Sequence, residues 1–317
     1  TIFYLSNGQI PIRNKEYNWL TTLPGNTSKT LWTIYHPIEE LPHYLNPASG
    51  YLFNSNHSPF NASAKNDNIK YKDYDPTMGY ERNENNRSVR FMELLASYNK
   101  IDYADFKKVK FDRQLPKPLA YPTNTDTLFL IDAREHPALS TVINTLQQWD
   151  RIADTNSKGA TIFSVIYYYV VDKLIQGDNS YNTITKEKAI EVFSFANDYL
   201  VKYFGSTTVT LGDYQKLVRS DKAIPLAGVP DVIASMESEP YKNGMVKGRQ
   251  GESYIELVRF TKAGPQIESI HSYGASNKPG NKHFDDQMEL FTQQKLKPMS
   301  LDKATVYKNA ERIYHPQ

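Results

Sequence analysis

The stretch Gly50–Ser63, GYLFNSNHSPFNAS, governs the reading of the whole chain. Tyr51, Leu52 and Phe53 read as a short strand that runs into polar residues and stops at Pro59. A strand end that carries asparagines is a place where a scaffold presents side-chain amides to a ligand. The same letters are also ordinary turn chemistry, because Asn and Ser side chains bond the backbone two residues on. Taken alone, the stretch leaves both uses open.

On its N-terminal side, Thr1 to Arg13 reads as two short strands around an Asn7-Gly8 turn, with Ile2, Tyr4, Ile10 and Ile12 keeping period two. Pro24, Pro37, Pro42 and Pro47 exclude a long helix in the connection that follows. That connection reads as an ordered loop packing Trp19 and Trp32 against the body. Residues 61 to 85 are rich in Asn, Asp and Tyr and read as a polar excursion over the surface.

From Arg87 the pattern turns helical. Val89, Met92 and Leu95, with Phe91 and Leu94 beside them, recur at three- and four-residue spacing. Asp102–Lys110 and Ala138–Trp149 continue in the same style. Ala160–Ile175 is apolar nearly all round and is expected at the centre of a helical cluster. Lys186–Phe204 is a further amphipathic helix, closed by Gly205. After Leu226 the pattern returns to strands. Glu252–Phe260 and Gln266–Ser272 alternate, with Lys262 to Pro265 as their turn. Phe284–Gln294 reads as a final helix, with Asp285 and Asp286 near its positive end. This order predicts an α+β fold with sheet segments at about residues 1–60 and 226–317. A helical insertion at about 87–220 then interrupts one sheet system, not two independent domains.

Composition narrows the function classes. The 317 residues can bury a substantial core. With 37 Lys+Arg against 35 Asp+Glu, charge gives no pull toward nucleic acid or a membrane surface. No apolar run approaches the ~20 residues of a membrane span, so no membrane insertion is expected. Cysteine is absent, which excludes disulfides, Cys nucleophiles and thiolate metal sites.

Several separated runs carry a resemblance. They are IFYLSNGQIPIR, LPG at 23–25, ELPHYLNPASGYLFNSNHSP at 40–59 and LQQWDRIADTNSKGATIF at 146–163. IPLAGVPD at 224–231 and SYGASNKPGNKHFDDQ at 272–287 complete the set. In that order they resemble the penicillin acylase family of N-terminal nucleophile (Ntn) hydrolases, and IFYLSNGQIPIR and ELPHYLNP favour its acyl-homoserine-lactone and aculeacin acylase branch. The resemblance implies the C-terminal part of a β chain in an αββα Ntn fold. It also implies partners, the α chain and the N-terminal part of the β chain of the same precursor. The family's Ser nucleophile, at the start of its β chain, has no match here. A small N-acyl amide substrate, no organic or redox cofactor and a periplasmic or extracellular location are implied in the same way. Some family members hold a structural calcium, for which no ligands can be placed in this chain.

Amide hydrolysis needs a nucleophile, a base and donors for the oxyanion of the tetrahedral intermediate. The family's Asn-x-Asn-x-[ST]-Pro run matches Asn54-Ser55-Asn56-His57-Ser58-Pro59. The resemblance thereby implies Asn56 as the oxyanion-hole side chain, while Asn54 fits a turn cap better. Arg87, in the run Arg87 to Leu95, matches the family's arginine that opens a helix near the nucleophile's amino end. Arg82 and Arg90 are its rivals in register. Thr1 could be an N-terminal nucleophile itself, but Thr1-Ile2-Phe3-Tyr4 matches an interior strand of the family. His57, a lone histidine, reads as structural. His283, Asp285 and Asp286 fit no standard metal-ligand spacing. The alternative to an enzyme is a non-catalytic homologue that keeps the fold as a binding or scaffold protein.

Overall fold

The computed structural model describes residues 1–120, 125–171 and 184–315. They form two compact units, Thr1–Met92 and Glu93–Gln317.

The first unit has little regular structure. Strand β1 (Phe3–Leu5) pairs antiparallel with β2 (His43–Leu45), with Tyr4 opposite Tyr44. The hairpin expected around Asn7-Gly8 does not form. Its second arm turns instead to the segment around Tyr35: Ile12 N–H donates to Ile34 O and His36 N–H to Ile10 O, both at 2.9 Å. Pairing with residues 34–45 buries Tyr44, whose hydroxyl donates to Pro59 O at 2.8 Å. A local hairpin would leave that ring without its place, so the long-range pairing prevails.

Two further expectations need correction in this unit. Trp32 is more than half exposed, and it flanks the Arg13 guanidinium together with half-buried Trp19, at 5.5 and 5.6 Å. Residues 61–85 are not a loose excursion. Tyr71, Tyr74 and Tyr80 surround the buried ring of Phe60 at 5.2 to 6.4 Å, and Ala62, Ser63 and Met78 are buried. Helix α1 (Asn86–Ala96) begins at the end of this unit.

The second unit opens with helices. They are α2 (Tyr103–Lys110), α3 (Ser140–Gln147), α4 (Lys158–Tyr169), α5 (Lys186–Phe204) and the single turn α6 (Leu211–Tyr214). Asp102, Ser157 and Thr185 cap α2, α4 and α5 by accepting backbone N–H groups. Gly205, at φ 68°, closes α5 where a side chain would be strained. Helix α4 is buried along Gly159–Ile166, as expected for the centre of the cluster; residues 172–175 of the expected helix lie outside the described residues. The run Leu146–Phe163 builds this core. Trp149 lies so close to Gly159 that a Cβ there would approach the Trp Cβ to 2.3 Å.

Strands follow from Gln215, earlier than the expected return after Leu226. β3 (Gln215–Arg219), β4 (Lys222–Pro225), β5 (Met236–Pro240) and β6 (Val246–Gly251) form a sheet in the order β4-β3-β6-β5. Only its β3–β6 pair is parallel. Gln215 is fully buried, and its amide donates to Leu226 O and Gly228 O and accepts from Ser238 Oγ. β7 (Tyr254–Thr261) and β8 (Gly264–His271) make the expected hairpin. The last helix was expected over Phe284–Gln294. Instead α7 covers only Met288–Thr292, and β9 (Lys297–Met299) and α8 (Lys303–Asn309) follow it. Within β7, Ile255 and Leu257 point into the core while Val258 and Phe260 are exposed, Phe260 at 85%. The mixture of helices and sheets is α+β.

Candidate functional site

Asn56 sits on a turn held almost wholly by side chains. The Tyr51–Phe53 segment is not a paired strand; Phe53 N–H donates to Ala62 O at 2.9 Å and so closes the loop between them. Asn54 is the turn cap, its Oδ1 accepting the Asn56 N–H at 3.0 Å while its Nδ2 donates to the Tyr4 hydroxyl at 3.2 Å. Asn56 itself takes the left-handed conformation, φ 58°, which Asn tolerates better than other residues with a side chain. The left-handed step lets the chain reverse within Asn54 to His57.

His57 is a strut. Its Nδ1 accepts from the Ser55 N–H at 3.1 Å and lies at the same distance from Ser55 Oγ, while Nε2 faces Asn61 O at 3.0 Å. Both ring nitrogens are therefore engaged within the loop. Phe53 stacks on the His57 ring at 4.7 Å and on Phe91 of α1 at 4.3 Å, tying loop to helix. Ser58 caps the short turn Pro59–Asn61, whose first carbonyl receives the Tyr44 hydroxyl. Burial pushes the Tyr44 pKa up to about 12, so the phenol keeps the proton it donates.

The start of α1 supplies the other half of the site. Asn85 precedes the helix and its Oδ1 accepts the Ser88 N–H at 2.8 Å, while Ser88 Oγ accepts the Asn85 N–H at 3.1 Å. This reciprocal exchange is a capping box built with Ser in place of the usual acid. Within the first turn, the Arg87 guanidinium donates to Asn56 Oδ1 at 2.9 Å. Arg82, a rival in register, lies over the Tyr71 ring at 4.3 Å.

The Arg87–Asn56 contact fixes the orientation of the amide. A guanidinium only donates, so the oxygen must face it and the NH2 group must face away. Asn56 is exposed, so that NH2 can meet an external acceptor. A charge-assisted bond to Oδ1 also draws electron density from the amide nitrogen and strengthens it as a donor. The arrangement is a positioned, polarised, uncharged hydrogen-bond donor.

The structure brings Asn56 and Arg87 together and gives the remaining candidates other surroundings. Thr1 is exposed, and the next residue is tied to Asn46, whose Oδ1 accepts the Ile2 N–H at 2.9 Å. His283 is held between Asp286 at 2.7 Å and Glu311 at 3.0 Å, with Lys282 on the same Glu311 at 2.5 Å. The bonds to Asp286 and then Glu311 raise the His283 pKa above its ordinary value. Among the described residues no group of three or more His, Asp or Glu side chains is arranged to hold a metal ion. Asn85 and Tyr4 escaped the sequence reading. The Asn85-x-x-Ser88 spacing is a helix-start signal that could have found the first; the second depends on strand pairing.

Comparison with known proteins places this chain in a family. The family model described as penicillin amidase matches residues 1–308. The acyl-homoserine lactone acylase PvdQ of Pseudomonas fluorescens (strain Pf0-1) is 25% identical over 228 residues, 65% of this chain and 29% of that protein. The protein of the same name from Pseudomonas syringae pv. syringae (strain B728a) is 31% identical over 109 residues, 33% of this chain and 14% of that protein. The chain thus spans under a third of the length of the curated relatives it matches. Among solved structures, the thermostable penicillin G acylase from Alcaligenes faecalis superposes with a TM-score of 0.57 at 13% identity, covering 99% of this chain and 66% of that one. That likeness carries the fold. The chain belongs to the penicillin amidase family.

Proposed function

We propose that this chain is the C-terminal part of the β chain of an Ntn-type N-acyl amidohydrolase. The Ser nucleophile would lie outside the sequence described. In the intact enzyme the Ser hydroxyl attacks the carbonyl of a linear N-acyl amide, its proton passing to the α-amino group that acts as base. The tetrahedral intermediate carries a negative oxygen, and the Asn56 Nδ2–H donates to it. Collapse expels the amine with a proton and leaves the acyl group on Ser, from which water releases it as a carboxylic acid. Arg87 acts on Asn56, holding and polarising the amide. An N-acyl-homoserine lactone is the substrate class to try first, given the names of the relatives. A periplasmic or extracellular location, implied by the family resemblance, is part of the same reading.

The observation that carries this reading is the 2.9 Å bond from Arg87 to Asn56 Oδ1, made 31 residues apart in sequence. Asn at that position donates to an oxyanion without adding charge, whereas Asp would repel it. The apolar faces left open in each unit support a partner chain from the same precursor. Phe3 and Leu45 face each other on the two-stranded sheet at 59% and 63% exposure, and Val258 and Phe260 line the outside of β7. A two-stranded sheet is marginal alone, so further cover is expected.

The test is Asn56→Ala in the full-length protein, assayed for release of the amine from N-acyl-homoserine lactones and other N-acyl amides. Turnover should fall about 100- to 1,000-fold with folding retained. Unchanged turnover would remove Asn56 from the reaction. A wild-type protein that binds but never cleaves such amides would favour a non-catalytic homologue.

A further inference from the structure

Capping a helix needs one acceptor, and Asp, Ser or Thr would serve as well as Asn. Asn85 does more than cap. Its Oδ1 takes the Ser88 N–H at 2.8 Å and lies 3.4 Å from Ser55 Oγ. Its Nδ2 donates to Ser55 O at 2.8 Å and to Asn56 O at 3.3 Å. Of the residues favoured at helix starts, only Asn offers an acceptor for the cap and two N–H donors beside it.

The two carbonyls it holds belong to the peptides on either side of the Asn56 Cα. The orientations of those two peptide planes are what φ and ψ of Asn56 measure. One side chain thereby clamps both dihedrals of a residue in the left-handed region, where a side chain stays only if its surroundings hold it. Arg87, two residues later on α1, holds the Asn56 side chain itself. A single helix start therefore sets the backbone of Asn56 through Asn85 and its amide through Arg87.

We propose that Asn85 is a positioning residue for amide hydrolysis, locking the backbone of Asn56 so that the Asn56 Nδ2–H stands where the oxyanion forms. This rests on the reading of Asn56 as oxyanion donor. Asn85 touches no substrate and acts only through Asn56. A donor displaced by a fraction of an ångström still lets substrate bind but stabilises the transition state less, so the effect falls on kcat and not on KM.

The test compares Asn85→Asp and Asn85→Ser with Asn56→Ala in the full-length enzyme. Both Asn85 variants keep an oxygen for the Ser88 N–H and lose the donors to Ser55 O and Asn56 O. Thermal midpoints close to wild type are expected, with kcat lowered about 10- to 100-fold and KM little changed. In the double variant with Asn56→Ala, the Asn85→Ser change should slow the reaction no further. Wild-type kcat in both Asn85 variants, while Asn56→Ala is slow, would overturn the positioning role and leave the Asn56 reading standing. Wild-type kcat in Asn56→Ala would instead defeat the Asn56 reading and this inference with it. Full additivity in the double variant, or loss of folding in both Asn85 variants, would make Asn85 a structural cap and also overturn the proposal.

Discussion

The loop carrying Asn56 and the helical core of the second unit hold their shapes by different means. Around Asn56 the chain is fixed by side-chain hydrogen bonds from Asn54, Asn85, His57 and Arg87, with one ring stack beneath. In the helical core, Leu146, Ile162, Ile166, Phe193 and Leu200 are each less than 2% exposed and no side-chain bond fixes their places. Hydrogen bonds are directional, so the loop can hold one residue in an uncommon backbone conformation. Burial is not directional, so it stabilises strongly but sets atomic positions only through packing. Precision and stability come from different parts of the chain. Substitutions in the core should act on unfolding, and substitutions around Asn56 on turnover.

The largest effect that tests this contrast is in the core. Phe193→Ala removes a fully buried ring from α5 and should cost about 3–5 kcal/mol. It is read from the denaturant midpoint of the full-length protein. A loss below about 1 kcal/mol would mean that the site collapses around the void and that the core is looser than its burial indicates.

A smaller effect is expected at the loop. Arg87→Met removes the charged donor from Asn56 Oδ1 but leaves the helix cap in place. The lower range for bonds to charged groups applies because Asn56 is exposed, and turnover should fall about tenfold with little change in thermal midpoint. An equal fall in thermal midpoint and turnover would show that Arg87 serves the fold instead, and would blur the contrast drawn above.

The smallest effect lies at the surface, where neither burial nor a designed turn operates. His283 gains Asp286 and Glu311 on folding, and its pKa is raised from 6.5. A raised folded-state pKa gives stability that is fully present below the unfolded value and fades as pH rises through the folded one. Stability should therefore decline slightly from pH 6.5 upward across that interval, and His283→Gln should flatten the slope. An NMR titration of His283 with a midpoint at or below 6.5 would contradict the pairing.

Much of this molecule was legible where the deciding interactions are local. Helix α5 could be bounded from Lys186 to Gly205 because its apolar spacing and its closing glycine lie within one stretch. The β7–β8 hairpin was visible for the same reason, its turn being short and its alternation clear. The reading failed where partners are distant. Asn7-Gly8 is a strong local hairpin signal, yet both arms pair with residues 34–45, since that pairing seats Tyr44 under the Pro59 turn. The short β9 and α8 passed unnoticed because their residues are mostly exposed and carry little apolar periodicity.

The candidate site divides in the same way. The family resemblance, not the residue types alone, singled out Asn56 and Arg87, while ordinary turn chemistry was enough to give Asn54 the cap. Tertiary structure alone decided that Arg87 faces the oxygen of the Asn56 amide, that both nitrogens of His57 are spent inside the loop, and that Asn85 holds the two carbonyls around Asn56. Hydrogen-bond direction is the reason. A sequence names donors and acceptors, but a bond forms only when folding brings them within about 3 Å in line, and residues 30 apart carry no local signal of that meeting.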